Sequence, residues 1–236
     1  MAPRRHDVFY TDTIVFNVND TLFRVPSRYF HEKSTVFGDA FQLSAEFGSE
    51  GASDEQPVTL PLPLEASTDD FVNLLKVIWP LTVNQPCPTD LTRGEWISVL
   101  KLSTFWQFTE TRNLAIAQIS KTDLSMADKI VFGRRYRVRQ WYLDGLKVLA
   151  SPSTRVPGLE DLKALQLGED TALRLLCARD RMPPSCGKFL ETFGNDPQEY
   201  NGLNCSGCGV AVNKHLRRAT CPLVEDLFAE ELSGLE

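Results

Sequence analysis

The apolar positions of this chain change period along its length. Between residues 13 and 25, strand-favouring residues flank one polar pair: Thr13, Val15 and Phe16, then Asn19-Asp20, then Leu22, Phe23 and Val25. That pattern predicts a hairpin with Asn19-Asp20 as its turn. Pro26 has no N–H for a ladder, so it ends the return strand or lies at a sheet edge. Ser27 is placed to cap a short helix through Phe30. Ser34 is placed to cap a second, with Val36, Phe37, Ala40 and Phe41 on one face. A hairpin this short is unstable alone, so residues 12–41 predict an α+β domain that later helices complete. Residues 44–56 are rich in Gly, Ser and acids and read as a solvated connector, with a partner-contact or phosphorylation loop as the functional alternative. Residues 57–61 form a short extended piece, a third strand at a sheet edge.

The period then becomes helical. Phe71, Leu74, Leu75, Ile78 and Trp79 make a full stripe over 67–79. Ser67 or Thr68 caps it, Asp69 and Asp70 suit its positive end, and Pro80 stops it. Residues 81–90, with Pro86 and Pro88, read as a loop. Over 92–106, Trp96, Val99, Leu100 and Ser103 share a face, and Thr92 with Glu95 has capping-box spacing. Residues 110–119 give a further helix with Leu114, Ile116, Ala117 and Ile119. Trp79, Trp96 and Trp106 read as core rather than as stacking platforms. The composition turns polar at 121–125, where a boundary is expected.

Beyond it the chain reads as all helical. A helix from Asp123 or Ser125 to Arg135 buries Ile130 and Val131. Residues 139–150 carry Trp141, Gly145, Val148 and Leu149 on one stripe. Residues 151–158 are a Pro/Ser turn, 159–165 a short helix broken at Gly168, and 170–181 another helix. No internal repeat at solenoid periods is evident. After Pro183-Pro184 the chain is rich in Gly, Asn and Cys, until 222–232 suggests a final acidic helix. The expected divisions are 10–120, a helical extension over 121–182, and a cysteine-containing tail over 183–236.

Composition narrows the function. The 236 residues are 42% hydrophobic and 24% charged, which suits a folded core, and the net charge of −6 argues against a nucleic-acid binder. No run approaches the ~18 apolar residues of a membrane span, and no apolar core follows the basic N-terminus. The expectation is an intracellular protein, cytoplasmic or nuclear. Its six cysteines would then be thiols or metal ligands rather than disulfides.

The metal candidates are Cys186, Cys205, Cys208, His215 and Cys221, of which four at most would hold one structural zinc ion. Cys205-Ser-Gly-Cys208-Gly makes a tight knuckle for two thiolates. Cys186, His215 and Cys221 compete for the other two places. Free thiols or a redox Cys-x-x-Cys remain open as alternatives. No catalytic residue is predicted. The three histidines, His6, His31 and His215, are scattered, and no nucleophile elbow, phosphate loop or H-E-x-x-H helix occurs. Arg134, Arg135, Arg137 and Arg139 form a basic cluster, and Lys214, Arg217 and Arg218 a smaller one. Both read as solvated charge, with phosphate or RNA contact as the sharper alternative.

One resemblance organises these readings. Asp12-Thr-Ile-Val-Phe-Asn-Val-Asn-Asp20, Phe23-Arg-Val25 and Ser34-x-Val36-Phe37-x-x-Ala40-Phe41 are similar to the pattern of the BTB/POZ family. Residues 70–75 and 95–102, with Trp106 and Phe108, resemble fungal BTB-domain proteins. In those proteins a motif like Lys129-Ile-Val-x-Gly-Arg-Arg-Tyr136, followed by Trp141, also comes after the domain. The resemblance covers about residues 10–180. It implies an α+β fold, a helical cluster with a small sheet followed by a helical extension. It also implies a non-catalytic protein–protein interaction module that forms a homodimer or acts as a ubiquitin ligase adaptor of the cullin type. The chain departs from the family twice. Pro26-Ser27-Arg28 stands where many relatives carry His-Lys. Between Phe41 and Gln56 no Glu follows a large apolar residue at the second position, as it does in many cullin binders. The alternative is a zinc-containing regulator associated with transcription or nucleic acid.

Overall fold

The residues flanking Asn19-Asp20 pair as antiparallel strands, β1 (Thr13–Val18) and β2 (Thr21–Pro26), with Thr13 opposite Pro26 and Val18 opposite Thr21. Both turn residues have positive φ, 46° and 61°, as a type I′ turn requires. Asn and Asp are the non-glycine residues that best tolerate this. The computed structural model describes residues 4–6, 10–44, 50–79, 90–150, 158–181 and 221–235. β3 (Val58–Thr59) runs parallel to β1, with Phe16 opposite Val58. The strand order is β2-β1-β3, so β2 is an edge and Pro26 sits on it as expected.

Gly51 is part of this sheet's flank. Its carbonyl accepts the Val15 N–H at 2.8 Å. Its φ is +81°, and a β-carbon there would lie 2.6 Å from Ile14 Cγ1, so both backbone and space demand glycine. Arg24 pairs with Asp54 at 2.8 Å. The described part of the expected connector is therefore tied to the sheet.

α1 (Ser27–Lys33) begins at Pro26 without a side-chain cap. The predicted cap, Ser27, instead donates its hydroxyl to the Asp12 carbonyl at 3.1 Å. α2 (Thr35–Ser44) begins at Ser34. The Ser34 oxygen accepts the Phe37 N–H at 3.1 Å and donates to the Trp106 carbonyl at 2.6 Å. Of the stripe expected on α2, Phe37 is buried while Val36 and Ala40 are exposed; the Phe41 side chain lies outside the described residues.

α3 (Thr68–Ile78) and α4 (Arg93–Phe105) each begin with a capping box, Ser67 with Asp70 and Thr92 with Glu95. α3 buries Phe71, Leu74 and Ile78; α4 buries Trp96, Val99, Leu100 and Ser103. α5 (Thr109–Ser120) buries Ile119 as expected but otherwise turns a different face inward. Thr111, Ala115 and Ile119 are buried at four-residue spacing, while Leu114 and Ile116 are half-buried and Ala117 is exposed. Small side chains lie on the inner face because α5 packs along α4.

The core of this first unit, Met1–Asp123, is aromatic. Phe16 lies 4.9 Å from Phe30, 5.8 Å from Phe37 and 6.3 Å from Phe71, measured between ring centroids. Trp106 closes the cluster at 5.5 Å from Phe37 and 5.7 Å from Phe71. The tilted and edge-on contacts add roughly 0.5–1.5 kcal/mol per pair beyond area burial.

The second unit, Leu124–Glu236, is helical throughout its described residues. It contains α6 (Met126–Arg135), α7 (Arg139–Ala150), α8 (Leu159–Ala164), α9 (Glu169–Arg181), α10 (Cys221–Leu227) and α11 (Ala229–Ser233). Its core joins Ile130, Tyr142, Leu146, Leu149 and Leu175 to Val224, Phe228 and Leu232. The tail set apart in the sequence at 183 thus supplies three core side chains. The final helix expected over 222–232 is broken at Phe228. Val131 is half-buried and Val148 exposed, against expectation.

A repeat does exist, and it is conformational. Gln107, Arg137 and Gln166 have φ of 55°, 53° and 54°. Each follows a helix and is flanked by apolar residues: Trp106 and Phe108, Tyr136 and Val138, Leu165 and Leu167. In each turn the second flanking N–H reaches back five residues, Phe108 to Ser103, Val138 to Gly133 and Leu167 to Leu162, at 2.9, 2.8 and 3.1 Å. This is the Schellman ending. It joins α4 to α5, α6 to α7 and α8 to α9, at positions 30 and 29 apart.

Candidate interaction surfaces and predicted metal ligands

Two surfaces combine exposure with a fixed geometry, one in each unit. In the first, β2 has no strand beyond it among the described residues. Its alternation sends Phe23 inward, 5.0 Å from Phe71, and Leu22 outward, 49% exposed. Tyr10, Tyr29 and Val36 are also exposed apolar residues of this N-terminal segment. Elsewhere on the unit, Leu64 is 89% exposed at the tip of a turn. That turn is closed by Ala66 N–H to the Pro63 carbonyl at 3.0 Å. Glu65 takes φ +67° in it, where a type II turn ordinarily holds glycine. Lys101 fastens the turn, donating to the Glu65 carbonyl and to Asp70, each at 2.9 Å. Burial pushes the Asp70 carboxyl up, but bonds from Lys101, Ser98 and the Ser67 N–H outweigh it. The group lies below its usual value.

In the second unit an open groove of about 590 Å³ is lined by Arg134, Thr171, Arg174, Glu230 and Glu231, with the start of α9. Glu231 accepts from the Tyr142 hydroxyl at 2.8 Å and from the Thr171 hydroxyl at 2.7 Å. Burial, then the Glu231 carboxylate, pushes the Tyr142 phenol well above its usual value. Arg134 donates to the Gln166 carbonyl at 2.7 Å. Arg174 lies 3.6 Å from Glu230. No sequence motif marks these residues. The prior signals were Arg134, read as part of a basic cluster, and the acidic texture of 222–232, and neither indicated a tyrosine partner 89 positions from Glu231.

The predicted metal set falls largely outside this geometry. Cys186, Cys205, Cys208 and His215 lie outside the described residues. Cys221 opens α10, and its side chain also lies outside them. Among the described residues no group of three or more His, Cys, Asp or Glu could hold a metal ion. Zinc analysis of the purified chain tests the set: one equivalent, lost in Cys205→Ser, would establish a zinc site that includes Cys205. His6 and His31 are both exposed. The arginines at 134, 135, 137 and 139 are exposed around the α6–α7 turn, with Arg135 over the Tyr136 ring at 5.8 Å. Among the described residues no helix is long and apolar enough to cross a membrane. No protein-family model matches the chain, and no curated protein matches it.

Proposed function

We propose that this chain is a protein–protein interaction module of the BTB/POZ type, without catalytic chemistry, which pairs with a second copy or serves as an adaptor. The observation that carries this reading is the outer edge of β2, a strand with no neighbour on that side among the described residues and with Leu22 half out in solvent. Edge strands offer unpaired backbone groups to an incoming strand, and exposed apolar side chains beside them supply contact area. The sequence resemblance over residues 10–180 points the same way. Sedimentation of the full chain tests the proposal, together with pull-down from its own cells. The expected result is a concentration-dependent dimer or a recovered partner, weakened by Leu22→Asp. A strict monomer that recovers nothing would remove it. Co-recovery of a cullin would establish the adaptor role.

A further inference from the structure

The last helices of the second unit are held as a bound peptide is held. α10 rests on both α7 and α9, which also contact each other. Val224, Phe228 and Leu232, spaced four apart, point into the core and are at most 1% exposed. Polar contacts run to both walls. Lys147 of α7 reaches Glu225 at 3.1 Å, and the Tyr142 hydroxyl of α7 reaches Glu231 at 2.8 Å. Thr171 of α9 donates to Glu231 at 2.7 Å, and Arg174 of α9 to the Leu227 carbonyl at 3.4 Å. The backbone–backbone bonds described for 224–235 all close within that segment. An apolar stripe at helical spacing seated between two helices is the pattern of helix-in-groove recognition, and the Lys147–Glu225 pair adds a charged contact at its side.

We propose that the channel between α7 and α9 is a docking site for an acidic amphipathic helix, filled in cis by α10–α11. The seat comes from α7 and α9, and residues 182–220 separate it in sequence from its occupant. An occupant carried on the same chain holds its seat by effective concentration. A helix presenting the same three apolar positions and the same carboxylates competes when the cis contacts weaken. This site lies in the second unit and does not depend on the reading of β2.

The probe is a labelled peptide of residues 219–236 of this chain, added to the full-length protein and followed by fluorescence anisotropy. Binding to the unaltered chain should be weak. Phe228→Ala in the full chain should tighten peptide binding about tenfold or more by emptying the seat. Glu231→Gln should tighten it by less. A peptide carrying Phe228→Ala itself should not bind either variant. Circular dichroism and a cooperative melt establish that each variant is folded. If Phe228→Ala proves unfolded, Glu231→Gln decides, because it keeps side-chain shape and the apolar stripe. Peptide affinity unchanged in a folded variant, or no binding to any of them, would overturn the proposal.

Discussion

Ser103 and Ala115 stand in hairpin α4–α5 where Gly133 and Gly145 stand in hairpin α6–α7, at the same distance from the left-handed turn residue. All four are buried. The turn is common to both hairpins, yet the helices approach differently. A β-carbon on Gly133 would lie 2.5 Å from the Tyr142 backbone nitrogen, and one on Gly145 2.5 Å from Ile130 Cγ1. Serine and alanine keep their β-carbons in the first hairpin, which packs beside an aromatic cluster. The second hairpin brings backbone against backbone at Gly133 and against the Ile130 side chain at Gly145, and finishes its core with Val224, Phe228 and Leu232 from far along the chain. Turn conformation therefore sets the hairpin, and residue size at two positions sets how tightly it closes.

That contrast can be broken at several levels. Phe71→Ala removes a ring that touches Phe16, Phe23 and Trp106. It should cost about 3–5 kcal/mol. Urea unfolding should then show the first unit melting ahead of the second. Gly133→Ala should cost about 1–3 kcal/mol or more, because the clash is with backbone that cannot step aside. The matching Ser103→Ala, which loses a 3.2 Å bond to the Leu100 carbonyl, should cost about 1 kcal/mol. Equal midpoints for those two variants would refute the size argument.

The two units should also fail at opposite ends of the pH scale. Asp70 lies below its ordinary value, so its contribution is present above about pH 4. It is lost as pH falls through the folded value. Tyr142 lies above its ordinary value, so its contribution is present below about pH 10 and is lost as pH rises. Asp70→Asn should flatten the acid limb and cost roughly 1–3 kcal/mol at neutral pH, since it weakens the bond to a mostly buried lysine. Tyr142→Phe should flatten the alkaline limb and cost about 1 kcal/mol at neutral pH. Both are read from melts across pH. The smallest effect is a gain. Arg137→Gly relieves roughly 1–2 kcal/mol of left-handed strain against roughly 0.5–1 kcal/mol of added chain entropy. A slightly higher midpoint is expected.

The hairpin, its turn, the Thr92–Glu95 capping box, the helix start at Ser34 and, to within a residue or two, those at Ser67 and Ser125 were legible, because each rests on residues close in sequence. The inner face of α5 was not. Beside the expected Ile119, its buried positions are Thr111 and Ala115, small residues that helical periodicity scores below Leu114 and Ile116. The repeated turn escaped for a related reason. Glycine normally announces a left-handed helix end, whereas Gln107, Arg137 and Gln166 occupy it here without any common residue type. Ser27 looked like a cap because the pattern could not show Asp12 competing for its hydroxyl. In the second unit, Glu231 was legible only as part of an acidic helix; only the fold brings Tyr142 and Thr171 to it. The exposed Leu22 was seen only as a strand residue, since which face of an edge strand is covered is decided by helices elsewhere.

Val224, Phe228 and Leu232 also impose an order in time. During synthesis the first unit has all its core residues once α5 has emerged, and it can fold while the chain is still growing. The second unit completes its core only later. Its helices α6 to α9 must wait for residues some fifty positions later before their shared apolar surface is covered. At ~5–20 residues per second that wait lasts some seconds. Throughout it the faces of α7 and α9 that α10 covers lie open, and they offer any chaperone a binding surface that the finished protein withdraws.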